Sequence, residues 1–170
     1  MKISKINKGK INFSKIINFY VPISIKFDEN YIRNEKLYYF RLINSESTFI
    51  EISINSFNKK VTDITVVSIN EISDMNELQY DCIQKIEIVN GNPTIDISIF
   101  DNSITYTQHS EFKTYKNKLF MICDFSKIVN RISMGDVELM LDKDNIIIGF
   151  GFIGFDDNEW KVIRVSSEIY

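Results

Sequence analysis

The chain has 170 residues, 44% hydrophobic and 13% aromatic, with a net charge of −3 at pH 7. A chain of this size and composition can bury a core without a metal or disulfide staple, which excludes intrinsic disorder and the cysteine-rich miniature folds. The charge is unevenly divided: residues 1–16 hold Lys2, Lys5, Lys8, Lys10 and Lys15 and no acid, so residues 17–170 sum to −8.

An acidic body repels polyanions, so direct nucleic-acid binding is not expected. Residues 1–16 read as a solvated basic arm ahead of a single β-rich domain over 17–170. No apolar run of signal-peptide length follows the basic start, and no stretch nears the roughly 18 apolar residues of a membrane span. A cytoplasmic protein without membrane contact is expected. The chain has 31 Ile, 17 Asn and no Ala, which shifts its intrinsic preference from helix towards strand. Such usage also matches an AT-rich genome, bacterial or viral.

Residues 17–27 place Ile17, Phe19, Val21, Ile23, Ile25 and Phe27 on one side of a period-two pattern, with Asn18, Ser24 and Lys26 on the other. That predicts a half-buried strand, with Pro22 marking an edge or a bulge. Strands at 37–43 and 48–54 follow, joined as a hairpin through Asn44-Ser45-Glu46-Ser47. A polar loop at 55–60 leads to a strand at 61–69. Met75, Leu78, Cys82 and Ile86 then fall at helical spacing and predict a short helix within 73–86. Asn90-Gly91-Asn92-Pro93 reads as a break dividing the domain into two halves, although no repeat is visible.

The second half predicts a strand at 94–100, a turn at 101–103, strands at 104–109 and 119–125, and a helical turn within 126–133. A meander closes the chain: a strand at 136–141, a turn at 142–145, a strand at 146–155, a turn at 156–159 and a strand at 160–165. The expected fold is mainly β, an antiparallel sandwich or strongly curved sheet of about ten strands with one or two short helices.

Gly149, Gly151 and Gly154 have the G-x-G-x-x-G spacing of a dinucleotide loop. Such a loop needs a strand before it, a helix starting within it and an acid about 20 residues later. Phe150, Phe152 and Ile153 are too bulky for a phosphate cradle, and only 16 residues follow Gly154. The glycines are better read as a strand whose one face carries Ile146, Ile148, Phe150 and Phe152, and whose other face has a trough at Gly149 and Gly151. Trp160 or a helix would fill that trough, or a partner would.

Other chemistry is sparse. His109 is the one histidine, with Ser110, Glu111 and Cys123 as unselected companions. Asp142-Lys143-Asp144-Asn145 begins like a calcium loop but continues with Ile146 and Ile147, so a hairpin turn is expected. Cys82 and Cys123 read as two buried free thiols, with one disulfide as the alternative. No P-loop or zinc spacing is present, and no cofactor or metal is expected.

The acids Asp136, Glu138, Asp156, Asp157 and Glu159 read as outward-facing and, with Gly149 and Gly151, form the expected partner surface. A small acidic domain without a catalytic motif points to a non-catalytic binding protein. Its concrete form is a bacterial immunity protein, a monomer or small oligomer that neutralises a basic toxin domain. Two alternatives stand beside it: a structural or assembly β-domain of a phage or cell surface, and an enzyme using a carboxylate pair or His109.

Overall fold

The computed structural model describes residues 1–44, 48–69, 72–98, 103–107 and 111–167, with the backbone alone at 44, 48, 49 and 103–107. In chain order the strands are β1 (Ile3–Lys8), β2 (Ser14–Ile16), β3 (Ile23–Lys26), β4 (Leu37–Asn44), β5 (Thr48–Asn55), β6 (Val61–Ser68), β7 (Ile72–Asp74), β8 (Ile88–Ile95), β9 (Ser103–Thr107), β10 (Glu111–Thr114), β11 (Leu119–Ile122), β12 (Asn130–Met134), β13 (Val137–Leu141) and β14 (Ile147–Phe152). Two α-helices accompany them, α1 (Glu77–Gln84) and α2 (Asp157–Ser167).

The strands form two sheets, one of eight in the order β1-β8-β12-β13-β14-β11-β10-β7 and one of six in the order β2-β3-β6-β5-β4-β9. Neighbours are antiparallel except β4–β9, β7–β10 and β8–β12. The edge strands of each sheet differ, so neither closes into a barrel. Mainly β architecture follows directly from the isoleucine alternation. Ile23 and Ile25, then Ile50, Ile52 and Ile54, then Ile64 and Val66 are fully buried, each set on one face of its strand. They share one core with Leu119, Met121, Val137, Leu139, Phe150 and Phe152 of the larger sheet. The helix α2 adds Trp160 and Ile163 to the same core.

A second cluster occupies the other face of the larger sheet: Met75, Ile83, Phe120, Ile122, Ile128, Met140 and Ile148. Ile83 comes from α1, which covers this face. As a result β11, β13 and β14 are buried on both faces along their whole length. Doubly buried strands lose the period-two signature and read as continuous apolar runs.

Polar groups tie the two sheets together. Asn30, in a 3-10 turn after β3, and Asn92 of β8 are buried and exchange side-chain hydrogen bonds of 2.6 and 3.2 Å. Asn30 also donates to the carbonyl of Val61 at 2.6 Å. Buried amides persist only when paired in this way.

Several expected elements differ. Residues 1–16 are built into both sheets, through β1 beside β8 and β2 beside β3, rather than trailing as a solvated arm. The strand expected over 17–27 is interrupted, because Asn18 Oδ1 accepts from the N–H groups of Tyr20 and Val21 and turns the chain before Pro22. The break expected at 90–93 lies inside β8. Gly91 allows β1 to come close, since a Cβ there would meet Ile6 Cγ2 at 2.7 Å. Beyond Asn90 the pairing with β12 ends, so Pro93 interrupts no second ladder. The region 126–133 holds a 3-10 turn at Phe125–Lys127 and then β12.

The strand expected at 160–165 is α2. Asp156 Oδ1 accepts from the N–H groups of Asn158 and Glu159, and Glu159 Oε2 accepts from the Asp156 N–H. This is a capping box, and Trp160, Ile163 and Ser166 form the buried face behind it. The turns expected at 45–47 and 101–102 lie outside the described residues.

Candidate functional site

The expected acidic surface is largely spoken for within the chain. Lys15 Nζ lies 3.1 Å from Asp136 Oδ2 and 2.9 Å from Glu159 Oε2, and donates to the Gly154 carbonyl at 2.6 Å. Its side chain is only 13% exposed. Burial opposes the charge, but the bonds to Glu159 and Asp136 outweigh it and hold the ammonium pKa above its ordinary value. Asp156 caps α2, and Asp157 accepts from Asn117 Nδ2 at 3.2 Å. Asp136 and Glu159 therefore do meet, but around a cation supplied by β2.

Glu138 does not belong to this group. It is buried, and its Oε2 accepts from Arg131 Nη1 at 2.9 Å. Arg131 also donates to the Ile86 carbonyl from Nε and Nη2, at 3.3 and 3.1 Å, which fastens the chain leaving α1 to the sheet. The outward orientation expected for Glu138 assumed that β13 had a solvent face. It has none, because the second apolar cluster covers the face that Glu138 shares with Met140.

Gly149 and Gly151 are buried on that same face. A Cβ on Gly149 would lie 3.3 Å from Met140 Sδ, and one on Gly151 would lie 3.1 Å from Phe120 Cε1. The expected trough is filled by these neighbours, and Trp160 packs elsewhere, against Phe155. A helix does follow the third glycine, contrary to the sequence reading. Its first N–H groups are occupied by Asp156, which leaves them no role in holding a phosphate.

The thiols also differ from expectation. Cys82 is exposed on α1 and Cys123 is partly buried, and both are free. Burial pushes the Cys123 thiol up to about 11. His109 and Ser110 lie outside the described residues, and Glu111 pairs with Lys113 at 2.8 Å. Asp142 Oδ1 accepts from the N–H groups of Asp144 and Ile146 and shapes the β13–β14 turn. Among the described residues, no three His, Cys, Asp or Glu side chains are grouped to hold a metal. No helix among them is long and apolar enough to cross a membrane.

Two features that the sequence did not announce remain accessible. The first is the outer face of α1. Leu78 is 78% exposed, with Glu77 and Asp81 exposed beside it and Glu87 exposed just beyond the helix. Of the predicted stripe, Met75 and Ile86 pack inward beside Tyr80 and Ile83, whereas Leu78 and Cys82 face outward. The second is a pocket of about 320 Å³ beside the β3–β6 ladder, lined by Lys26, Phe27, Asp28, Tyr31, Thr62 and Asp63. Burial raises the Asp63 pKa, and Asp28 and Glu51 add to it, while Lys26 and the Thr62 hydroxyl oppose it. Neither feature has a motif. Each depends on which side of a strand or helix the fold leaves open.

No family model matches the chain, and no curated protein matches it.

Proposed function

We propose that this chain is a non-catalytic binding protein that recognises a basic protein partner. Its most concrete form is an immunity protein that neutralises a cognate toxin in the bacterial cytoplasm. The observation that carries this reading is the outer face of α1. An apolar Leu78 stands in solvent on a helical face that also exposes Glu77, Asp81 and Lys85, and neither acid makes an ion pair among the described residues. A central apolar anchor with a polar rim is the usual anatomy of a protein interface. Glu77 and Asp81 are four residues apart on a helix, where like charges repel, and a cationic partner relieves that repulsion. The −8 charge of residues 17–170 would also steer such a partner to the surface.

The experiment is affinity capture with a C-terminal tag, from lysate and secretions of the source cell. A single basic protein should be retained in stoichiometric amount, less firmly as salt rises. Leu78→Ala and Asp81→Lys should weaken it by about tenfold or more each. Co-expression should relieve any toxicity of the captured protein. Retention of no macromolecule at low salt would end this reading.

An assembly role is the second reading. It is favoured by Ile16, Phe19 and Tyr20, which are exposed on and just after β2, an edge strand of the smaller sheet. Sedimentation as a growing series of oligomers, lost in Tyr20→Ser, would support it over the first.

A further inference from the structure

The pocket beside β3 and β6 shows an unusual electrostatic arrangement. Lys26 and Asp63 are directly paired across the strands, yet their side chains form no ion pair. Asp63 is half-buried, with Lys26 acting on it through its charge but not in ion-pair contact, and Asp28 and Tyr31 line the same cavity. Phe27 closes the floor and is fully buried. The Thr62 hydroxyl lies 3.2 Å from the Ser53 carbonyl and also favours ionised Asp63, so it takes up part of that carboxylate's hydrogen-bonding capacity. The volume of about 320 Å³ lies at the small end of binding pockets, enough for one side chain or a small molecule.

We propose that this pocket receives the guanidinium or ammonium group of a basic side chain presented by a protein partner. Asp63 and Asp28 would supply carboxylate oxygens, and the half-exposed Tyr31 ring would offer its face to the cation. Burial of a basic anchor in such a pocket is a common source of interface affinity. Lys26 is the opposing element. Its ammonium disfavours any cation that enters, which makes the pocket selective for groups that place charge close to Asp63. The partner as source of the cation rests on the binding role proposed above, while the chemistry of the pocket does not.

The groups facing Asp63 also predict the pH response. Lys26 approaches from β3, Asp28 and Tyr31 from the segment after it, and Glu51 from β5. Cation binding needs Asp63 ionised. It should therefore weaken as pH falls through the raised pKa of this carboxyl, at a higher pH than an ordinary aspartate would give.

The test uses N-acetylated arginine amide as probe, with N-acetylated norleucine amide and acetate as controls, so that the arginine side chain is the only cation, followed by amide chemical shifts of the full chain. Arginine amide at millimolar concentration should produce saturable shifts at Lys26, Phe27, Thr62 and Asp63. Asp63→Asn should weaken it by about tenfold, and Lys26→Gln should strengthen it severalfold. The proposal fails if arginine amide gives no saturable shift, if norleucine amide acts equally, or if Lys26→Gln weakens binding. It also fails if Asp63→Asn leaves the affinity unchanged in a folded protein. The two proposals are separable. Loss of partner capture with arginine amide still bound removes the binding role and leaves the pocket. Partner capture without arginine amide binding does the reverse.

Discussion

Arg131 and Glu138 form a buried ion pair, with Nη1 and Oε2 2.9 Å apart and both side chains less than a tenth exposed. The pair stands between β12 and β13 on the face that carries the second apolar cluster. Removing one partner strands the other as a buried charge. Glu138→Leu alone should cost about 3–5 kcal/mol, read from urea unfolding. The double variant Arg131→Met, Glu138→Leu should recover most of that loss. A residue of about 1–2 kcal/mol should remain, because the Ile86 carbonyl loses its donors. A double variant as unstable as the single would mean that packing, not charge pairing, dominates there.

Lys15 holds the N-terminal segment against α2 through Asp136 and Glu159. Lys15→Met should destabilise the fold by about 1–2 kcal/mol and leave the two acids repelling each other. The pH sign is set by the raised pKa of the ammonium. A raised folded-state pKa means that the native state holds its proton more tightly than the unfolded state. The contribution is therefore complete below the ordinary value of 10.5, and is lost as pH rises through the higher folded value. Wild type and Lys15→Met should differ by a constant margin from pH 7 to 9 and converge only in strong alkali. Thermal melts across that range measure the margin.

Gly151→Ala would place a methyl group 3.1 Å from the Phe120 ring and 3.4 Å from Glu138 Cβ. Both neighbours are buried and the sheet is covered on that face, so neither has open space to retreat into. The expected loss is about 1–3 kcal/mol, the range for overpacking a core. Chemical unfolding should show a lower midpoint with an unchanged slope. A neutral result would show that Phe120 can shift and that the trough is looser than the contacts indicate.

The two thiols should be distinguishable by rate. Cys82 is exposed on α1, whereas burial holds the Cys123 pKa near 11. A disulfide reagent at pH 8 should modify one thiol quickly and the second far more slowly. Cys82→Ser should remove the fast phase. Two fast phases in the native protein would contradict the burial of Cys123.

The differences between expected and observed features have a common cause. Period-two alternation identified the strands of the smaller sheet because one face of each meets the core and the other meets water. The same rule placed Glu138 outward and Gly149 and Gly151 in an open trough, because nothing in the local pattern reveals a second covering layer. That layer comes from α1, together with Met75, Phe125 and Ile128 in segments flanking the strands. The helix α2 was legible in part, since Asp156 and Glu159 have capping-box spacing and Trp160 and Ile163 have helical spacing.

Composition and alternation by themselves determined that this is a β-rich protein with an acidic body, because isoleucine burial and net charge are properties of the chain. Tertiary structure decided which of the acids remain unengaged at the surface. Asp136 and Glu159 are held by Lys15, about 120 to 145 residues away in sequence, and Glu138 is buried against Arg131. Among the described residues, Glu77, Asp81 and Asp63 have no basic side chain within ion-pair distance, although Lys26 acts on Asp63 from further away. Coulomb energy depends on separation in space, and a linear sequence does not contain that separation.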